Sequence, residues 1–275
     1  MFIIISKKTL SFSLFIFILT LILFFYIIHT DNTKTTTVNT TSYVAIIIDD
    51  FGYKAKGTED MLKLDIPLTA AVMPFQPFSE SDAKAAYESG LEIILHIPME
   101  PEHGKKEWLG PKGITCDLSN KEIEKRIKDG LSQIPEAIGM NNHMGSKATK
   151  NERVIKSILK VSKEKELFFI DSKTTSHSVI SSISKEMHVK FATRDIFLDG
   201  TQDKDYIKKQ IEKLGDIASK RGYAIGIGHV GIEGGKVTAK AIESMYPKLQ
   251  KKGIKFVYVS DIINLIYNNN IQLRN

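Results

Sequence analysis

The chain has 275 residues, of which 42% are hydrophobic and 25% charged, with a formal net charge of +6. The lysines behind that charge are scattered, with no arginine-rich block and no interleaved aromatics, so nucleic-acid binding is disfavoured. The single cysteine, Cys116, excludes an intrachain disulfide and reads as a packed thiol.

Lys7 and Lys8 precede an apolar stretch from Leu10 to Ile28, close to the ~20 residues that a membrane-spanning helix needs. No small-residue cleavage pattern follows it. Residues 1–30 are therefore expected to be an uncleaved signal anchor, with the lysines inside and the domain extracytoplasmic, on the periplasmic or cell-surface side. Residues 31–42, rich in Thr and Asn, are expected to form a polar tether. Residues 43–275 remain for a single domain, ample for one sizeable core.

That domain opens with Ala45-Ile46-Ile47-Ile48-Asp49-Asp50-Phe51-Gly52, an apolar run ending in two carboxylates and a glycine. A continuous β-branched run reads as a strand buried on both faces, as in parallel sheets covered by helices. A short helix near Thr58 to Leu64 and a second buried strand, Leu68 to Met73, follow. Ser79 with Asp82 resembles a capping box opening a helix to about Ser89, and a third strand runs from Leu91 to Leu95 with His96 just past its end. Ser119 with Glu122 marks another helix start, with Ile123, Ile127, Leu131 and Ile134 on one stripe. A strand from Ala137 to Met140 leads into Asn141-Asn142-His143-Met144-Gly145-Ser146. After a helix from about Glu152, the strand Leu167 to Ile170 is closed by Asp171. The strand Ile196 to Leu198 ends at Asp199, Tyr223 to Ile227 ends at Gly228-His229, and Phe256 to Val259 comes last, after a helix from about Val237. Seven or eight strands alternating with helices predict a parallel α/β sheet closed or nearly closed into a (β/α) barrel.

Asp49, Asp50, His96, His143, Asp171, Asp199 and His229 each follow a predicted buried strand, so a barrel gathers them at one mouth. Two neutral imidazoles and one carboxylate leave an open position on a divalent metal, where a bound water is acidified and a carbonyl polarised. Asp50, His96 and His143 fit that role. Asp49 is then placed to take a proton from the attacking water and His229 to protonate the leaving group. Backbone N–H groups near Gly145 and Ser146 are candidates for binding an oxyanion. Zinc heads the candidate metals.

The blocks Ile48-Asp49-Asp50-Phe51-Gly52, His96-Ile97-Pro98-Met99-Glu100-Pro101, Asn141 to Ser146, Phe169-Ile170-Asp171-Ser172 and Gly226-Ile227-Gly228-His229 together resemble the divergent polysaccharide deacetylase family, a distant branch of the NodB-type carbohydrate esterases. The resemblance runs from about Tyr43 to Tyr267. It implies a NodB-like distorted (β/α) barrel and metal-assisted removal of N- or O-acetyl groups from an envelope or exported polysaccharide. By position it implies Asp49 as base, Asp50 and His96 as metal ligands and His229 as general acid. Where mainstream members carry a second histidine four residues after the first, this chain has Glu100. Either Glu100 or His143 then completes the metal site, and two imidazoles with one carboxylate favour His143. Asn142, Ser146, Asp171 and Asp199 are further candidates. The same departure leaves open a carbohydrate-binding or envelope-organising protein without catalysis. Hydrolysis of another bond, such as a phosphoester, is disfavoured by the scarcity of arginines near the motifs.

Overall fold

The computed structural model of the protein describes residues 16–26, 41–232 and 234–268. The chain divides into two units, Met1–Thr40 and Thr41–Asn275. In the first, residues 16–26 are helical with exposed side chains. The rest of the expected anchor, and the tether as far as residue 40, lie outside the described residues. No helix among the described residues is long and apolar enough to cross a membrane.

The described part of the second unit is built round one parallel sheet. Its strands are β1 (Ser42–Phe51), β2 (Thr69–Val72), β3 (Glu92–Met99), β4 (Gly139–Met144), β5 (Phe168–Asp171), β6 (Phe191–Thr193), β7 (Ile196–Phe197), β8 (Tyr223–His229) and β9 (Ile254–Val257). They run in the order β6-β5-β4-β3-β2-β1-β8-β7, with β9 against the first half of β1. The helices between and after them are α1 (Thr58–Leu62), α2 (Ser79–Glu88), α3 (Asn120–Gln133), α4 (Glu152–Glu164), α5 (Ile180–Met187), α6 (Lys204–Arg221), α7 (Gly235–Lys251) and α8 (Val259–Tyr267). The two ends of the sheet, β6 and β7, are separated in sequence only by Arg194 and Asp195. This one stretch pairs first with β5 and then with β8, so the sheet curls round on itself into a distorted (β/α) barrel of the expected class.

Alternation along the strands sorts the core into two layers. Val44, Ile46 and Ile48 pack outward with helix residues such as Ile155, Ile211 and Ile242, whereas Ala45 and Ile47 face a smaller inner cluster with Ile94, Ile170, Ile225 and Ile227. Val259, Ile262 and Ile263 of α8 belong to that inner cluster. Burying each such aliphatic side chain is worth about 1.5–3 kcal/mol. Cys116 is partly buried against the outer core.

The differences from the sequence expectations have physical reasons. β3 and β4 run on through His96-Ile97-Pro98-Met99 and Asn141 to Met144, because the hydrogen-bond ladder continues after the apolar run stops. β1 starts at Ser42, which pairs with Ile254, so the last tether residue belongs to the sheet. The run Phe256 to Val259 is divided between β9 and α8, since the Asp261 side chain accepts from Tyr258 N and opens the helix there. Ser119 does cap α3, accepting from Glu122 N at 3.2 Å. Ser79 with Asp82 is no capping box: α2 has no side-chain cap, and the Asp82 carboxylate reaches back 30 residues to accept from Gly52 N and, at 2.9 Å, from Lys54 N.

Candidate active site

The inner face of each long strand is apolar in its first half and polar in its last. On β1 the inward series is Ala45, Ile47, Asp49; on β3 it is Ile94, His96; on β8 it is Ile225, Ile227, His229. Register then makes neighbours of these last positions, setting Asp49 beside His229 and His96 beside Asn141.

Simple alternation would turn Asp50 away from Asp49. It does not, because the β1–β2 register shifts between Ile48 and Phe51, and Asp50 takes φ 70°, a left-handed conformation that Asp tolerates better than most residues. Both carboxylates therefore face the mouth. Gly52, with φ 119°, completes the turn where a Cβ would stand 2.9 Å from the Met73 carbonyl oxygen. Asp82 clamps the amides on either side of this turn.

Asp50 Oδ1 lies 3.0 Å from His143 Nδ1 and 3.3 Å from His96 Nε2. The ligand atoms of Asp50, His96 and His143 all fall within 4.8 Å of one another. Asp50 Oδ1 and His96 Nε2 are buried, and neither makes a hydrogen bond of acceptable geometry. Two imidazoles and a carboxylate converging through unpartnered atoms match the donor set of a divalent-metal site. Burial acts to raise the Asp50 carboxyl, but the two imidazoles outweigh it and hold it well below the usual carboxylate range.

Asn141 organises the inner side of this cluster. Its Nδ2 donates to Asp49 Oδ1 at 2.8 Å, and its Oδ1 lies 2.7 Å from His96 Nδ1. An ionised Asp49 only accepts, so the amide oxygen must face His96, which then carries a proton on Nδ1 and turns Nε2 toward Asp50. Burial pushes the Asp49 carboxyl above its ordinary range despite the nearby His96 and His229.

On the far side, His229 Nδ1 lies 2.8 Å from Asp199 Oδ1, while Asp199 Oδ2 accepts from His229 N at 2.7 Å and from Thr238 Oγ1 at 2.8 Å. Burial disfavours the imidazolium, but the Asp199 carboxylate prevails and raises His229 to about 10. The Phe197 ring lies 5.6 Å from the His229 ring, and the Arg194 guanidinium carbon stands 3.6 Å from the centroid of the Phe197 ring.

The remaining sequence candidates lie elsewhere. Glu100 is outside the cluster: its carboxylate accepts from Cys116 N at 2.7 Å and pairs with Lys147 at 2.6 Å. Asn142 faces away from Asn141, donating to the Met144 carbonyl and accepting from Ser172 N. Ser146 accepts from Glu102 N in the neighbouring loop. Asp171, on the outward face with Phe169, accepts from Lys173 N. The residues missed from sequence are Asn141 and Thr238. Asn141 could have been found by counting two back from His143, since residues i and i+2 share a strand face.

A cleft of about 460 Å3 opens over Asp50 and His143, with Tyr53, Trp108, Val230 and Ile232 among its walls.

The sequence profile of the divergent polysaccharide deacetylase family matches residues 46–263. The uncharacterized protein YibQ of Escherichia coli is 33% identical over 186 residues, covering 68% of this chain and 58% of that protein, so the chain spans little more than half the length of this relative. An uncharacterized protein from Agrobacterium tumefaciens has a similar crystal structure, with TM-score 0.75 and 22% identity over 81% of this chain and 89% of that one. The Bc1960 peptidoglycan N-acetylglucosamine deacetylase shares the fold more loosely, with TM-score 0.50 and 14% identity over 83% of this chain and 96% of that one.

Proposed function

This chain belongs to the divergent polysaccharide deacetylase family, and from that premise we propose that it is a metal-dependent hydrolase removing N- or O-acetyl groups from an envelope or exported polysaccharide. The observation that carries this reading is the pair of buried, unpartnered ligand atoms, Asp50 Oδ1 and His96 Nε2, beside His143. Asp50, His96 and His143 would hold the ion, and zinc would suit that donor set. The ion, when bound, acidifies a water and polarises the acetyl carbonyl.

The remaining work falls to side chains of this chain. Asp49, whose proton affinity is raised by burial, takes the proton from the attacking water, and Asn141 holds its carboxylate in place. His229, kept protonated at neutral pH by Asp199, gives a proton to the departing amine or alcohol. Asp199 also fixes the imidazole through Nδ1, which leaves Nε2 as the donating atom. The apolar segment behind Lys7 and Lys8 supports a membrane-anchored placement with the domain facing the envelope.

The test is acetate release from acetylated oligosaccharides by the zinc-supplemented protein, with and without chelator. Release that chelator stops and Asp49→Asn lowers about a thousandfold, zinc content unchanged, is the expected result. No release with any divalent metal, or full turnover by Asp49→Asn, overturns the reading or the base assignment respectively.

A further inference from the structure

Ser79 and Asp82 have the spacing of a helix cap, yet neither caps α2, and the chemistry above uses neither. Both side chains are buried. They grip instead the turn that follows β1. Asp82 Oδ2 accepts from Gly52 N at 2.8 Å and from Lys54 N at 2.9 Å. Ser79 donates to the Met73 carbonyl at 2.6 Å, and Met73 N donates in turn to the Phe51 carbonyl at 2.9 Å. Phe78 N, just before α2, reaches the Gly52 carbonyl at 3.0 Å. The start of α2 is thus fastened to residues 51–54 by side chain and backbone together. Burying a carboxylate is costly unless it is hydrogen-bonded, and here the bonds go to backbone N–H groups just beyond Asp50.

The backbone of that turn is strained. Asp50, at φ 70°, and Lys54, at φ 50°, are both left-handed without being glycine, a conformation that persists where the surroundings enforce it. Asp49 is pinned upstream, with its carbonyl accepting from Val230 N at 3.1 Å and its Cα in register with His229. Asp82 pins the downstream side. Between these two fixed points the chain changes course at Asp50, and the left-handed φ is how it does so. Without the downstream pin Asp50 would relax to an extended φ. Strand alternation would then turn its carboxylate to the face opposite Asp49, away from His96 and His143.

We propose that Asp82 is a positioning residue of the candidate metal centre: its carboxylate holds the turn after β1, so that Asp50 keeps the left-handed conformation that delivers Oδ1 to His96 and His143. The inference rests on the metal reading of that cluster and adds to it a residue that touches neither ion nor substrate. Ser79 supports the same turn at one remove, through Met73. One carboxylate oxygen receives two N–H groups at once, and an asparagine in the same place keeps an oxygen able to do so.

The full chain is prepared metal-free as wild type, Asp82→Ala, Asp82→Asn and Ser79→Ala. Zinc affinity is read by competition with a chromophoric chelator, cobalt-loaded samples give visible absorption spectra, and urea midpoints of the metal-free proteins follow the fold. Asp82→Ala is expected to bind zinc about 10–100-fold more weakly. Its cobalt band should be displaced, because the Asp50 carboxylate no longer meets the ion in the same geometry. Asp82→Asn should recover most of the affinity and the wild-type band, and Ser79→Ala should fall between Asp82→Ala and wild type. Undiminished zinc affinity in Asp82→Ala overturns the proposal. So does an equal loss in Asp82→Asn with the cobalt band unmoved, which makes the effect one of charge and not of geometry. Should Asp82→Ala fail to fold, Ser79→Ala decides: weaker zinc binding with a displaced band supports the proposal, and wild-type values of both overturn it. A wild type that takes up neither zinc nor cobalt removes the metal reading and this inference together, whereas equally tight zinc in wild type and Asp82→Ala removes the positioning role alone.

Discussion

Two imidazole–carboxylate groups share the mouth of this barrel and differ in how their polar atoms are satisfied. Around His229, Asp199 engages the ring at Nδ1 and the backbone N–H, and Thr238 donates to the same carboxylate. Around His96, the amide of Asn141 takes care of Nδ1, but Nε2 and the facing Asp50 Oδ1 are buried with no hydrogen bond. An unmet buried polar atom costs about 1–3 kcal/mol. Native folds retain few of them without a reason. The first group is therefore complete within the chain and suited to holding a proton. The second leaves two buried ligand atoms without a hydrogen bond, which is the feature the proposed metal site would use.

The sharpest way to break this contrast is to remove Asp50. Zinc at about a thousand times its dissociation constant stabilises a protein by about 4 kcal/mol. For a domain of this size that corresponds to a rise of about 10 °C in Tm. The wild-type protein should show this rise and Asp50→Ala should show none, together with a loss of roughly a thousandfold or more in acetate release. An undiminished zinc-dependent rise in the variant would place the ion elsewhere.

Asp199→Asn attacks the other group and should lower turnover by about a hundredfold, with the alkaline limb of the pH profile moving to lower pH. Because His229 is raised to about 10 in the folded protein, above an unfolded value near 6.5, its pairing stabilises fully below about pH 6.5. That contribution is lost as pH rises towards about 10. Urea midpoints of the metal-free protein at pH 6, 8 and 10 should fall across this window in the wild type and flatten in Asp199→Asn. Parallel curves for the two proteins would remove Asp199 from the titration of His229.

Much of this contrast was legible in the sequence, because carboxylates and imidazoles directly after apolar β-branched runs stand out. Asp49, Asp50, His96, His143 and His229 stand out in that way and the structure gathers them at one mouth, while the barrel follows from the alternation that carries them. What local pattern could not resolve was direction. Asn142 and Asp171 sit in the right stretches, but strand alternation turns them to the outer face, while the bulge at Asp50 breaks the same rule in the opposite sense. Asp82 has the spacing of a helix cap, and its partners, Gly52 N and Lys54 N, lie far away in sequence. Closure through Arg194 and Asp195 was hidden because each half of that strand is only two or three residues long. Trp108 carries no periodic signal, being a lone aromatic in a loop rich in Gly, Pro and Lys.

Asn141 joins the two groups and gives the finest test of their difference. It donates to the proposed base and accepts from the proposed ligand, so the ring orientation that turns His96 Nε2 toward Asp50 depends on it. Asn141→Leu preserves volume and removes both bonds. Loss of such an orienting partner typically weakens metal affinity by about 10–100-fold. A chromophoric chelator competing for zinc should register that loss, and turnover at saturating zinc should fall less than the affinity does, because the ligand atoms themselves remain. If affinity holds and only turnover falls, Asn141 serves the Asp49 carboxylate alone and His96 finds its orientation without it. If both hold, the bridge between the two groups has no part in either function.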